Sequence, residues 1–352
     1  MSRETLQHLN TSTLIGSTDQ RGTAWHYRAD LQGGEPNHYP GPIPVEDVRR
    51  RLFHWSADSR PLAVALPSDL ATATHLDQDG APARWTPVPD RQAIVRSDTG
   101  QVMGIFTSGY VMHPYDEWLL TTVANILDDH LAISSAGLLK GGAIAWVEVS
   151  MPETVSSPEG LDFRPNLLAT TSFDGSIATT YKRTVTAVVC DNTRAAALGE
   201  RGQTYKVKHS RYSQARLAEA RQALSVVHQM TEDYLTEIAT LGRTPVTDRQ
   251  WDTLLTQLVP IPGPSEKPLT PRSRRAAEEK RYQLNHLYRV DHRASPWQGT
   301  ALGVLQAVNT WEHHYGNVRY ATRSERNMLK AVKGDFDVLD RTVMEHLQSV
   351  AA

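Results

Sequence analysis

Between Thr171 and Arg216 the chain carries eight basic residues, Lys182, Arg183, Arg194, Arg201, Lys206, Lys208, Arg211 and Arg216, against three acids, Asp174, Asp191 and Glu200. This segment is therefore +5 inside a chain of 352 residues whose 37 Lys and Arg and 39 Asp and Glu give −2 overall. Cations repeated along a surface neutralise phosphates, and flat rings beside them stack on bases. Tyr181, Tyr205 and Tyr212 interleave with the cations, so the chemistry on offer is non-covalent: holding a single nucleic-acid strand. If Tyr205 to Ser210 is extended, Lys206, Lys208 and Ser210 share one side and Tyr205, Val207 and His209 the other. The first set would meet phosphates while the second packs. The candidate DNA-binding residues are Lys182, Arg183, Arg194, Arg201, Lys206, Lys208, Arg211, Tyr205 and Tyr212. The competing account of the same pattern is an ordinary solvated surface with tyrosines filling a core.

Other chemistries find less support. Cys190 is the single cysteine, which excludes an intramolecular disulfide framework and a cysteine-rich zinc module and fits a reducing compartment. It reads as a buried strand-end residue. Gly137, Gly141 and Gly142 flank Lys140, yet neither GxxxxGK[ST] nor the dinucleotide glycine pattern is present, so these glycines read as a turn between strands. His313 and His314 are adjacent, and neighbouring residues of a helix point in different directions; no HExxH occurs among the 14 histidines. Glu148, Glu153 and Asp174 combine on paper into the acid cluster of a metal-dependent nuclease, without a diagnostic acid-to-lysine spacing. No catalytic residue, cofactor or metal site is assigned.

The elements that would position the cations follow from periodicity. The first ninety residues are the least periodic and rich in Pro, Gly and His, an irregular N-terminal wrapping segment in which Trp25 and His26 read as packing anchors. Ala93–Arg96 and Val102–Phe106 flank a tight reversal at Ser97–Gly100. A helix follows from Pro114, with Trp118, Leu119, Thr122, Val123, Ile126 and Leu127 at helical spacing. Ala143–Val149, Leu167–Ser172 and Ile177–Val189 read as strands, the last two joined through Asp174-Gly175. Asn192 or Thr193 is then placed to cap a short helix through Leu198. Further on, Leu217 to Leu241 marks one helix face, and Thr247 with Gln250 forms a reciprocal cap before Trp251. Prolines 260, 262, 264 and 268 interrupt regular structure. Helices are expected again from Ser295-Pro296 and over Phe336–Leu347.

The fold class is α+β: a central antiparallel sheet with flanking helices, followed by a helical C-terminal region. The divisions are a wrapping segment over 1–90, a central α+β core over 91–212, a helical region over 213–259, a proline-rich loop or linker over 260–275 and C-terminal helices over 276–352.

The chain resembles a known family, the phage/plasmid-like proteins that share the uncharacterised domain numbered 932. The resemblance is carried by Arg21–His26, Ala93–Gly100, Gly109-Tyr110, Leu138–Gly142, Thr171–Ser176, Val188–Thr193, Lys206–Ser210, Thr300–Val308 and Ser324–Asn327. These segments cover most of the chain and imply little biochemistry. The order of helix, antiparallel strands and small helix also resembles the central part of the Rad52-like single-strand annealing superfamily. That likeness of topology implies rings or filaments that hold DNA along a basic groove and pair complementary strands without ATP hydrolysis.

The expected function is phage- or plasmid-type single-stranded DNA binding and strand annealing in recombination or replication, by a homo-oligomer that lines up short basic surfaces. A replication or recombination protein is a possible further partner. The alternatives are a non-catalytic protein-interaction or structural accessory and a metal-dependent nuclease. The polar stretch Met1–Asn10 does not read as a secretory signal, and the longest apolar stretch, 132–149, is broken by Lys140 and three glycines. No membrane association and a cytoplasmic location are expected.

Overall fold

A computed structural model describes residues 14–17, 38–39, 41–65, 85–124, 131–150, 154–187, 192–195, 204–210, 230–263, 268–319 and 323–351. Its centre is a nine-stranded sheet. Four longer strands alternate in direction: β6 (Ala132–Leu139), β7 (Ile144–Ser150), β9 (Asp162–Ser172) and β10 (Thr179–Ala187) run side by side in the order β10-β9-β7-β6, with the short β1 (Leu14–Ser17) beyond β6. β2 (His38–Tyr39) adds to β1 in parallel, and β8 (Val155–Ser156) pairs with β9. The outer edge of β10 is divided between two short strands. β12 (Thr204–Val207) lies along Thr179–Lys182, and β11 (Asn192–Ala195) lies along Thr184–Ala187.

Both faces of this sheet are covered, which is why β9 is buried continuously from Pro165 to Ser172 and shows no polar alternation. On one face Ala145, Val147, Leu167, Ala169, Tyr181 and Val185 belong to the main core. On the other, Ile144, Trp146, Leu168 and Ile177 form a satellite core with Val332. A second, three-stranded sheet consists of β3 (Ala57–Ala65), β4 (Trp85–Arg96) and β5 (Val102–Thr107), in the order β3-β4-β5. The helix α1 (Val45–Leu52) precedes it and buries Val48 and Leu52. Ordered structure therefore occupies part of the first ninety residues that the irregular composition marks as wrapping segment.

The helix expected from Pro114 begins as a π-turn, Asp116–Thr121, and runs into Thr122–Ala124. The wider turn lets three consecutive residues, Trp118, Leu119 and Leu120, all be fully buried.

Residues Asn192 and Thr193 do not cap a helix; they begin β11, whose backbone is satisfied by antiparallel pairing with Thr186 and Ala187. Capping chemistry and strand pairing compete for the same groups, and the open edge of β10 wins. Residues 196–198, the rest of that expected helix, lie outside the described residues, as does Cys190.

The C-terminal part is helical: α2 (Met230–Arg243), α3 (Asp248–Leu258), α4 (Pro271–Arg289), α5 (Ala301–His314), α6 (Arg323–Lys333) and α7 (Asp335–Ala351). Thr247 and Gln250 make the reciprocal cap of α3: the Gln250 amide donates to Thr247 Oγ1 at 3.3 Å, and the Thr247 amide donates to Gln250 Oε1 at 2.9 Å. Trp251 stacks on Tyr288 at 4.1 Å. Ser295-Pro296 starts only a 3₁₀ turn, and α5 begins later, capped by Thr300. α5 is buried almost all round, and Leu302, Leu305 and Val343 join the same core as the sheet residues. Sheet and helical region thus share one hydrophobic interior.

Candidate nucleic-acid interface

Several of the segments that carry the family resemblance, Ala93–Gly100, Gly109-Tyr110, Leu138–Gly142, Thr171–Ser176 and Lys206–Ser210, meet at the turn end of the large sheet. Arg96 is buried, and its guanidinium donates to Asp98 at 2.7 and 3.0 Å and to the Gly141 carbonyl at 2.9 Å while lying 4.1 Å from the Trp55 ring. Tyr115 donates to the Gly142 carbonyl and stacks on Phe173. Lys140 reaches Asp174 at 3.0 Å, and Tyr110 donates to the Ser172 carbonyl at 3.2 Å. Three chain reversals, 97–100, 140–142 and 173–178, are thereby tied together.

At this end β12 is clamped by aromatic rings. Phe106, Tyr110, His209, His113 and Trp118 form one continuous stack, with successive centroid separations of 3.9, 4.9, 3.9 and 3.7 Å. His209 inserts between Tyr110 and His113, and Val207 packs on Trp118. The hydrogen bonds fix the protons. His209 Nδ1 faces the Val111 carbonyl at 3.2 Å, which only an N–H can satisfy. In the neutral ring Nε2 then accepts from Thr171 at 3.2 Å, Thr171 accepts from Thr179 at 2.7 Å, and Thr179 accepts from His113 Nδ1 at 2.6 Å. His113 Nε2 is left buried without a hydrogen-bond partner. Burial, with the His209 charge second, pushes His113 down to about 3, and burial pushes His209 down to about 4 against the opposing effect of the Val111 carbonyl. Both rings are neutral at pH 7, as a face-to-face pair requires.

The clamp determines where the cations go. Val207 is buried, while Lys206 and Lys208 on either side of it are exposed, the alternation expected of an extended segment. Neither lysine has an ion-pair partner among the described residues. Ser210 is half-buried.

Lys182 and Arg183 do not extend that strip. As neighbours on a strand they leave opposite faces of the sheet, and each meets an acid from a C-terminal helix. Lys182 is 6% exposed and its ammonium lies 2.5 Å from Asp337 of α7. Arg183 lies 3.3 Å from Asp233 of α2. Tyr181 is a core residue whose hydroxyl donates to the Trp118 carbonyl. The continuous track of central cations is corrected to a shorter strip on β12 and a separate, internally paired lysine on β10. The side chains of Arg194 and Tyr205, and residues Arg201, Arg211, Tyr212 and Arg216, lie outside what is described.

Beside the strip is a cleft of about 160 Å³ that sequence patterns do not reveal. It lies between β10, β12 and the turn joining α6 to α7, and Lys182, Lys206, Lys333 and Asp337 line it. Lys333 is the last residue of α6, 127 positions from Lys206 in sequence, so no local pattern links them.

The acids proposed for a nuclease do not converge. Glu148 sits opposite Leu168, four residues before the end of β9, whereas Asp174 lies beyond that end. The separation along the strand alone is about 13 Å. Burial raises the Glu148 carboxyl to about 7. Among the described residues no group of three His, Cys, Asp or Glu could hold a metal ion, and Glu153 lies outside them. His313 is buried against Phe336, whereas His314 is exposed, so the pair is divided by the helix as expected. No described helix is long and apolar enough to cross a membrane.

Comparison with curated proteins and with solved structures gives no match. Residues 102–333 do match the model of a domain of unknown function, DUF932. That span contains the π-turn, β6 to β12, the stacked rings and the three lysines of the cleft, and it is most of the chain: the protein belongs to the DUF932 family.

Proposed function

We propose that the protein binds single-stranded DNA through the β12 strip and promotes pairing of complementary strands without nucleotide hydrolysis. The observation that carries this reading is the pair of exposed lysines, Lys206 and Lys208, which have no ion-pair partner among the described residues and flank Val207, packed on Trp118. Cations at alternate positions of an extended segment present a regular charge pattern to a phosphate backbone. The strip itself is short, so a homo-oligomer would supply the length that annealing needs.

The β3-β4 ribbon offers a surface for such association. Val64 and Trp85, near its far end, are 57% and 61% exposed. This exposure also favours a second reading, a protein-interaction accessory with no DNA role, in which the ribbon would engage a replication or recombination protein. Cellular placement in the cytoplasm accords with the single cysteine of the chain.

The test is fluorescence anisotropy with labelled single-stranded DNA at low salt, alongside an annealing assay without nucleotide. The wild type is expected to bind and to accelerate duplex formation. Lys206→Ala/Lys208→Ala is expected to weaken binding and flatten its dependence on salt by a slope of about 1.4, two phosphate contacts on a single strand. Absence of binding by the wild type overturns the proposal, and a protein that associates through the ribbon but anneals nothing is the accessory.

A further inference from the structure

We infer that the cleft between β10, β12 and the α6–α7 turn is a seat for one phosphate group, with Asp337 as its built-in competitor. The inference rests on the strand-binding reading for the source of that phosphate, but the seat stands on its own geometry.

Three lysines, Lys182, Lys206 and Lys333, line the cleft together with one carboxylate residue, Asp337. Lys206 and Lys333 are exposed, whereas Lys182 is more than nine-tenths buried. A buried lysine is costly unless its charge is met, and here Asp337 meets it at 2.5 Å. One carboxylate against three ammoniums leaves the cleft at +2, the complement of a phosphate rather than of a neutral ligand.

The position of Asp337 adds to this. It is the third residue of α7, whose first helical hydrogen bond runs from Val338 to the Gly334 carbonyl at 3.2 Å. The amides of Asp335, Phe336 and Asp337 therefore have no acceptor within the helix. Gly334 turns with φ +81°, and a Cβ there would come within 3.3 Å of the Asp337 carboxylate. That carboxylate lies over the start of its own helix and against Lys182, the place where an anion is favoured twice over. Ser176, on the Asp174–Ile177 reversal, also lines the cleft. A phosphate entering the cleft would gain Lys206 and Lys333, which Asp337 leaves unpaired, and would share or displace the carboxylate's hold on Lys182.

The phosphate could be the end of a strand, an internal phosphodiester or a free anion, and the arms of one experiment separate them. Melting temperatures are measured with inorganic phosphate against chloride at matched ionic strength, and affinities with oligonucleotides that differ only in a 5′-phosphate or 5′-hydroxyl. Phosphate is expected to raise the melting temperature of the wild type. Lys333→Gln, at an exposed helix end, is expected to abolish the rise, and Asp337→Asn, which removes the competitor, to enlarge it. If the seat takes a strand end, the wild type prefers the 5′-phosphorylated oligonucleotide by about tenfold, the worth of one charge-assisted hydrogen bond, and Lys333→Gln removes that preference. If it takes an internal phosphodiester, Lys333→Gln weakens both oligonucleotides equally. No phosphate-specific stabilisation, together with unchanged affinities in Lys333→Gln, overturns the seat even while Lys206 and Lys208 still bind DNA. A phosphate response that Lys333→Gln abolishes, in a protein that binds no DNA, keeps the seat as a site for a small phosphate and removes the strand.

Discussion

His113 and His209 hold β12 in place as two neutral rings pressed face to face, so protons enter the folded protein only at its expense. In the unfolded chain each histidine titrates near about 6.5, whereas in the stack they lie at about 3 and about 4. Below about pH 6.5 the unfolded state binds the extra protons, and stability falls with pH by about 1.4 kcal/mol per pH unit for each histidine until the folded values are reached. His209→Phe keeps a ring between Tyr110 and His113 but cannot take up a proton. Urea midpoints measured at pH 7 and pH 5 should therefore fall less in this variant than in the wild type; an equal fall would show that His209 is not part of the protonation-linked clamp. The role of the two histidines was not legible in sequence, since 96 positions separate them and either one alone looks like an ordinary histidine.

At the scale of elements, the reversal between β6 and β7 determines how the turn end closes. Lys140, Gly141 and Gly142 all have positive φ, and Gly142, at +96°, leaves 2.6 Å between a hypothetical Cβ and the Arg96 guanidinium. That guanidinium has little freedom to withdraw, because Asp98, Gly141 and Trp55 hold it. Gly142→Ala should lose about 1–3 kcal/mol of stability by urea unfolding, from backbone strain and displacement of Arg96. A neutral substitution would mean that the turn has another conformation. This turn was readable from its glycines, as were the β4-β5 hairpin and the α3 cap, because each depends on residues a few positions apart. β11 is the complementary case: Asn192 and Thr193 are good caps locally, and only the distant edge of β10 makes them a strand. Alternation around Val207 was legible, but the separation of Lys182 from Arg183 into two ion pairs needed α7 and α2, helices whose placement no nearby residue specifies.

Across the whole molecule, a single core joins the sheet to α2, α3, α4, α5 and α7. The α+β class and the helical second half follow from periodicity, whereas the shared interior of sheet and helices depends on contacts between distant segments. The proline-rich interruption is also shorter than composition implies, since α4 already starts at Pro271 behind the Thr270 cap. The satellite core is small by contrast: Val332, with Met328 and Leu329, carries α6 onto the second sheet face. Lys333 and Asp337 reach the cleft through that contact, so what was invisible in the sequence is a meeting of the middle of the chain with its late helices and not a motif.

β12 pairs with β10 over only four residues and has a side-chain anchor on one face. Such a segment can peel away without the sheet coming apart, as a cooperative unit of its own with a lower opening free energy than β9 or β10. Amide hydrogen–deuterium exchange should show Thr204–Val207 exchanging well before Leu167–Ser172, and a bound oligonucleotide should retard the first group selectively. Equal protection of both groups would mean that β12 opens only when the molecule unfolds. If the early opening is found, capture of a strand and closure of this edge are one linked equilibrium, and the tightness of the grip is tuned by how often the edge stands ajar.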